Sequence, residues 1–169
     1  MRTIVSVLML VVIFTGCGYK MASHYAQSVI GNKVSTQVYV SLHDPENAVI
    51  IKDAVDTAVI TRFKSQLCDK SESVTHLAIT ISDITFKPLK YDTNGYVTAY
   101  QTDIFMQILR TTGDISKTYL SRGSYDFSLR ANAIISEQAR FEAIRNGAQK
   151  AIDGFLAQVS SETFTREKK

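Results

Sequence analysis

Histidines, cysteines or carboxylates at catalytic or ligand spacing would mark an enzyme or a metal centre, and this chain offers few. His24, His43 and His76 each stand without a second His or Cys at metal-ligand spacing. The sequence contains no Gly-x-Ser-x-Gly elbow, no phosphate loop and no Gly-x-Gly-x-x-Gly. Asp92-Thr93-Asn94-Gly95 copies the start of a calcium loop but lacks the later ligands and the closing Glu, so it reads as a hairpin turn. Asp83 and Asp103 both fall in β-rich stretches, where a facing carboxylate pair is one arrangement and solvated or Lys-paired strand acids are the commoner one. The expectation is a chain with no catalytic residue, no metal and no cofactor.

Charge and aromatic surface remain as carriers of function. Lys87 and Lys90, Arg110 and Lys117, and Arg122 and Arg130 gather on the predicted hairpins. Such side chains are charge-assisted donors suited to phosphates. They equally suit solvated strand edges, where charge blocks aggregation. Tyr91, Tyr96, Tyr100, Tyr119 and Tyr125 recur on the same segment. Tyrosine gives a large amphipathic contact area fit for a partner interface, and it also fills ordinary strands.

These residues need elements to hold them. Val34, Thr36, Val38, Val40 and Leu42 alternate with polar residues, predicting a half-buried strand. Asp44-Pro45-Glu46 then starts a helix, with Asp as N-cap and Pro in the first turn. The apolar spacing of Ala48, Ile51, Val55, Ala58, Val59 and Phe63 carries that helix to about Leu67. Cys68 therefore falls near a helix end, where burial as a small hydrophobe is expected. Leu77, Ile79 and Ile81 alternate before the phase slips to Ile84 and Phe86, which predicts a bulge near Ser82-Asp83. Pro88 to Gly95 reads as a loop, and long strands follow over Tyr96–Arg110 and Lys117–Leu129. Phe141, Ile144, Ala148, Ala151, Ile152, Phe155, Leu156 and Val159 form one stripe of a helix from about Ser136 to Ser160. The order is β-α-β-β-β-α. A crossover followed by short turns makes an α+β fold, with two helices packed on one face of a mixed four-stranded sheet.

The first residues read as an address. Arg2 precedes an apolar run from Ile4 to Phe14, too short to cross a bilayer that needs roughly 20 helical residues. Phe14-Thr15-Gly16-Cys17 resembles the lipobox of bacterial lipoproteins. The resemblance implies a signal peptide over residues 1–16, then acylated Cys17 and a tether over 17–33. A single domain over 34–162 and a charged tail over 163–169 complete the chain. The other reading of Cys17 is an ordinary thiol at the end of a secretory signal. Acylation with two or more chains would hold the protein stably on a membrane. Gly18 rather than Asp after the cysteine implies, by resemblance to Gram-negative sorting rules, the periplasmic face of the outer membrane.

Composition agrees with one domain. The chain has 169 residues, 45% hydrophobic and 21% charged, which suits a single folded core and not a disordered chain. A net charge of +3 without a dense basic stripe argues against nucleic acid as a partner.

Taken together, Cys17-Gly18-Tyr19-Lys20, Val38-Tyr39-Val40, Thr93-Asn94-Gly95, Tyr100, Ser124-Tyr125-Asp126 and the amphipathic C-terminal helix resemble the LPS-assembly lipoprotein family. The resemblance implies an outer-membrane lipoprotein that plugs the lipopolysaccharide-translocating β-barrel. It would assist the barrel's assembly and the insertion of lipopolysaccharide into the outer leaflet. Partners would be that barrel, lipopolysaccharide and the membrane, with Lys87, Lys90, Lys117 and Arg122 as candidate lipopolysaccharide contacts. Tyr91, Tyr96, Tyr100, Tyr119 and Tyr125 would face the barrel. The alternative is an auxiliary adaptor lipoprotein of another envelope lipid-transport or peptidoglycan-synthesis complex. A periplasmic hydrolase would need a cleft with convergent polar groups, which nothing in the sequence predicts.

Overall fold

A computed structural model describes residues 27–39, 45–130 and 133–167, so the expectations for the signal segment, Cys17, His24 and His43 lie outside the described residues. The described chain is α+β. Strand β1 (Lys33–Tyr39) leads to helix α1 (Pro45–Thr61). A two-residue strand β2 (Gln66–Leu67) and the long strands β3 (Thr75–Tyr91), β4 (Val97–Thr112) and β5 (Ile115–Ser128) follow, and helix α2 (Glu137–Glu167) closes the fold. The sheet runs β2-β1-β3-β4-β5, with β1 parallel to both neighbours and β3, β4 and β5 an antiparallel meander.

The mixed sheet and the two long helices on one face are as expected, but a short helical segment over 27–30 precedes β1 and the sheet has five strands where four were predicted. The extra strand exists because α1 stops early. Lys64 takes a left-handed φ of 56°, the Ser65 amide donates to the Val59 carbonyl, and Gln66 donates to Asn32. The chain thus turns back onto β1 instead of continuing to Leu67. No Gly or Pro marks the stop. Phe63 keeps the helical apolar spacing because its ring still reaches the core, edge-on to Phe155 at 5.8 Å between centroids. Cys68 accordingly follows a strand, half-buried, with its amide on the Val34 carbonyl.

The predicted slip in β3 is present, a register shift between Ile81 and Asp83. The expected loop from Pro88 is instead strand to Tyr91. Beyond Thr80 no described residue of β1 pairs with β3, and on an unpaired side a residue without an N–H is tolerated. Only Asp92–Gly95 turns: the Asp92 carboxylate accepts the Asn94 and Tyr96 amides, and Gly95 supplies φ 84°. A second hairpin turns at Gly113, φ 56°.

One core lies between the helices and the sheet. Ile51, Val55 and Val59 of α1 and Ile144, Ala148, Ile152 and Phe155 of α2 pack on Val34, Leu77, Ile79, Ile104, Met106 and Ile108. Each fully buried large side chain contributes roughly 1.5–3 kcal/mol. Ile30, placed in the tether by sequence, is fully buried in this core, so the folded unit includes residues before β1. Helix α2 is capped as predicted, the Ala139 amide donating to Ser136 Oγ at 3.2 Å, but it continues through the expected tail to Glu167.

Candidate functional site

Strand side chains alternate between faces, so the same periodicity that buries Ile104 and Met106 sends Asp103 and Phe105 to the opposite face. Among the described residues, no element covers that face: Gln37, Thr80, Asp83, Gln107, Thr118 and Leu120 are exposed along it. Asp103 is nevertheless 0% exposed. It sits on the central strand of the meander, opposite Thr85 of β3 and Ser124 of β5. Lys87 and Arg122 are its diagonal neighbours, two residues along each flanking strand, and they close over it.

The carboxylate is saturated by three donors. Ser124 Oγ donates to Oδ1 at 2.6 Å, while Arg122 Nη2 and Lys87 Nζ donate to Oδ2 at 2.8 and 3.0 Å. The guanidinium also lies over the Phe105 ring, 5.2 Å from its centroid. The two cations keep 56% and 51% of their side chains in solvent. Two bases share this one buried acid and keep more donors than its carboxylate uses, while Asp83 and Asp126, exposed on the same face across Phe105 and Gln101, stand as further acids beside them.

Burial pushes the Asp103 carboxyl up, but the hydrogen bonds from Ser124, Arg122 and Lys87 and the Arg122 charge outweigh it and bring the pKa down to about 2. A carboxyl lowered on folding stabilises the native state above its unfolded pKa, near 4, and loses that contribution as pH falls through the folded value. The margin is on the order of 2 kcal/mol. Denaturation curves should therefore show the wild type losing this margin between about pH 4 and pH 2. An Asp103→Asn variant should lack that acid-sensitive component. Identical acid slopes for the two proteins would refute the ion cluster.

The structure brings together only two of the four predicted basic contacts. Lys87 and Arg122 share Asp103. Lys90 is exposed three residues further along β3, towards the hairpin. Lys117 belongs to the opposite, helix-bearing face, where it pairs with Glu162 and lies 5.3 Å from the Tyr119 ring centroid. Arg110, 4% exposed, joins Glu162 at 3.5 Å. Burial raises the Glu162 carboxyl, but hydrogen bonds from Lys117 and Tyr119 and the charges of Lys117 and Arg110 take it below the usual range.

The tyrosines divide similarly. Tyr119 is a correction: it is 4% exposed and packs edge-on to Phe155 at 5.0 Å, because α2 lies directly over that part of β5. Tyr125 is half-buried beneath Lys150, and Tyr100 stacks on Phe127. Tyr91 and Tyr96 are exposed, at 61% and 51%, near the β3–β4 turn. His76 Nδ1 lies 2.8 Å from Ser35 Oγ, which also donates to Ser73, so these groups fasten the β2–β3 connection to β1. Burial and the Lys70 charge lower the His76 pKa.

Asp103 and Ser124 were missed as site residues. Asp103 read as a solvated or Lys-paired strand acid, and only strand register reveals two cations on one carboxylate.

The lipopolysaccharide-assembly family model, LptE, matches residues 35–159. A candidate lipoprotein from Caulobacter crescentus has the same fold at TM-score 0.55 and 7% identity, over 83% of this chain and 97% of that one. Rare lipoprotein B from Shewanella oneidensis aligns at TM-score 0.48 and 12% identity, over 80% of this chain and 99% of that one. A minor lipoprotein from Acinetobacter baumannii aligns at TM-score 0.46 and 11% identity, over 79% and 94%. No curated protein matches in sequence.

Proposed function

This chain belongs to the lipopolysaccharide-assembly family, and on that premise we propose that it is an outer-membrane lipoprotein that seats in the lipopolysaccharide-translocating β-barrel. It binds and positions, and breaks no bonds. The observation that carries the reading is the open sheet face with Lys87 and Arg122 gathered over buried Asp103. Phosphate groups of lipopolysaccharide are anionic, and a charged, donor-rich patch on a rigid sheet is the complementary surface. The rest of that face is dominated by Gln, Thr and Ser, which suits the polar interior of a large barrel.

Among the described residues no helix is long and apolar enough to cross a membrane. In this reading attachment comes from acyl chains on Cys17. Cys17→Ala should leave the domain folded and shift the protein from the envelope pellet to the periplasmic fraction. A variant that still pellets would argue against acylation as the anchor.

The decisive experiment is affinity capture of the full-length protein from detergent-solubilised outer membranes. Stoichiometric recovery of one very large β-barrel protein is expected. Recovery of an inner-membrane permease or a peptidoglycan synthase instead would favour the adaptor reading.

A further inference from the structure

We propose that Asp103 is a positioning residue, which ties the Lys87 ammonium and the Arg122 guanidinium into a two-armed clamp for a phosphomonoester on the open sheet face. The proposal rests on reading that face as the phosphate-receiving surface. It adds which residue sets the geometry and which phosphate class the geometry selects.

Lys87 and Arg122 stand on β3 and β5, with β4 between them, and both end in flexible, half-exposed stems. Left alone, two like charges repel and such stems swing apart. Here Nζ and Nη2 bond the same oxygen, Oδ2, so they can be no farther apart than those two bonds laid end to end. One phosphate group can span that gap. Asp103 itself cannot follow a ligand outward. It is fully buried on the central strand of the meander, and Ser124 holds its other oxygen. The Phe105 ring beneath the guanidinium fixes the Arg122 plane from a second side.

The arms retain donors after Asp103 has taken one from each, since lysine carries three N–H groups and arginine five. A phosphomonoester near pH 7 offers three terminal oxygens and close to two charges, enough to bridge both arms. A diester offers two free oxygens and one charge.

Long-range charge and local positioning predict opposite signs for the same substitution. Asp103→Asn makes the protein one unit more positive, so charge alone strengthens binding of every anion, the dianion most. Positioning predicts the reverse, because the arms separate once the shared carboxylate is gone.

Full-length protein in neutral detergent micelles is titrated with methyl phosphate and, separately, with dimethyl phosphate, following side-chain N–H resonances by NMR. The wild type should prefer the monoester by about tenfold. Asp103→Asn should bind methyl phosphate about tenfold more weakly and show little preference between the two. Ser124→Ala keeps the charge but frees the carboxylate to turn, and should lose about threefold in monoester binding. It decides the matter if Asp103→Asn does not fold, and unchanged binding in it would overturn the proposal. Monoester binding by Asp103→Asn as tight as wild type, or tighter, also overturns it. A Lys87→Gln/Arg122→Gln variant separates the layers. If it binds methyl phosphate like wild type, the phosphate reading of this face falls together with the clamp. If it loses binding while Asp103→Asn gains it, the face stands and Asp103 has no positioning role.

Discussion

Gly123→Ala should lower stability by about 3 kcal/mol, the upper range for overpacking, and Gly123→Leu should leave little native protein. At this point of β5 helix α2 rests directly on the strand. A Cβ on Gly123 would lie 1.9 Å from the Gly147 carbonyl oxygen and 2.4 Å from the Ala151 amide nitrogen. Both are backbone atoms of a long helix, so no side chain can rotate away. The helix would have to lift, and Ile144, Ala148, Ile152 and Phe155 would lift with it from the core. The Ser121 hydroxyl, which donates to the Ala151 carbonyl, would lose its partner too. Gly154→Ala is the matched control. Its Cβ would meet Ser121 Oγ at 2.8 Å, so Ser121 must change rotamer and give up its bond to the Ala151 carbonyl, but no backbone has to move and the loss should stay at about 1–1.5 kcal/mol. Urea denaturation midpoints for the variants provide the measurement. Equal losses at the two glycines would mean that α2 does not pack this closely.

Glu162→Ala carries the second large effect, an expected loss of about 3–5 kcal/mol. Glu162 is 16% exposed and answers both Arg110 and Lys117. Lys117 is half in solvent and can be hydrated when its partner goes. Arg110 cannot. Its side chain is 4% exposed, its Nε already has no hydrogen-bond partner, and its guanidinium lies 5.7 Å from the Tyr119 ring centroid. Removing the carboxylate strands a buried cation, which is far costlier than deleting the pair. Arg110→Met combined with Glu162→Leu should therefore recover most of the stability lost by Glu162→Ala alone. If the single and double variants are equally unstable, Glu162 acts through packing and not as a counter-ion. Lys117→Ala should cost less than about 1 kcal/mol, as befits an exposed pair.

The two acid-centred clusters look alike in composition, yet only one opens its cations to solvent from an uncovered face. Asp103 is buried under cations that reach solvent from an open face. Glu162 ties a buried arginine to the helix and faces the core side of the sheet. Lys87 and Arg122 therefore remain candidate contacts by geometry, whereas Lys117 is engaged in holding α2 to β5. Alternation along β5 already sends Lys117 and Arg122 to opposite faces, and α2 decides which of those faces is covered.

Local pattern reached far in this chain. The alternation from Val34 specified β1, and Pro45 marked the start of α1. The phase slip after Ile81 located a bulge, and the stripe from Phe141 to Val159 located α2. Each of these signals lies within a few turns of chain, where periodicity and capping act directly. Tertiary structure alone decided the rest. Lys64 turned left-handed because Gln66 could add to β1, and Pro88 stayed in a strand because no described residue of β1 pairs with β3 there. Tyr119 became core because α2 covers it.

The cluster around Asp103 is the sharpest case. Its members are 16 and 19 residues apart along the chain, and their meeting depends on the register of two hairpins. One of those hairpins contains bulges, and each bulge shifts which side chains lie opposite one another. The sequence by itself thus determined the elements, the buried faces and the absence of a recognisable catalytic motif. Which cations share a carboxylate, and which of them reach solvent, followed only from strand pairing, because a register is set by the whole sheet and not by any one strand.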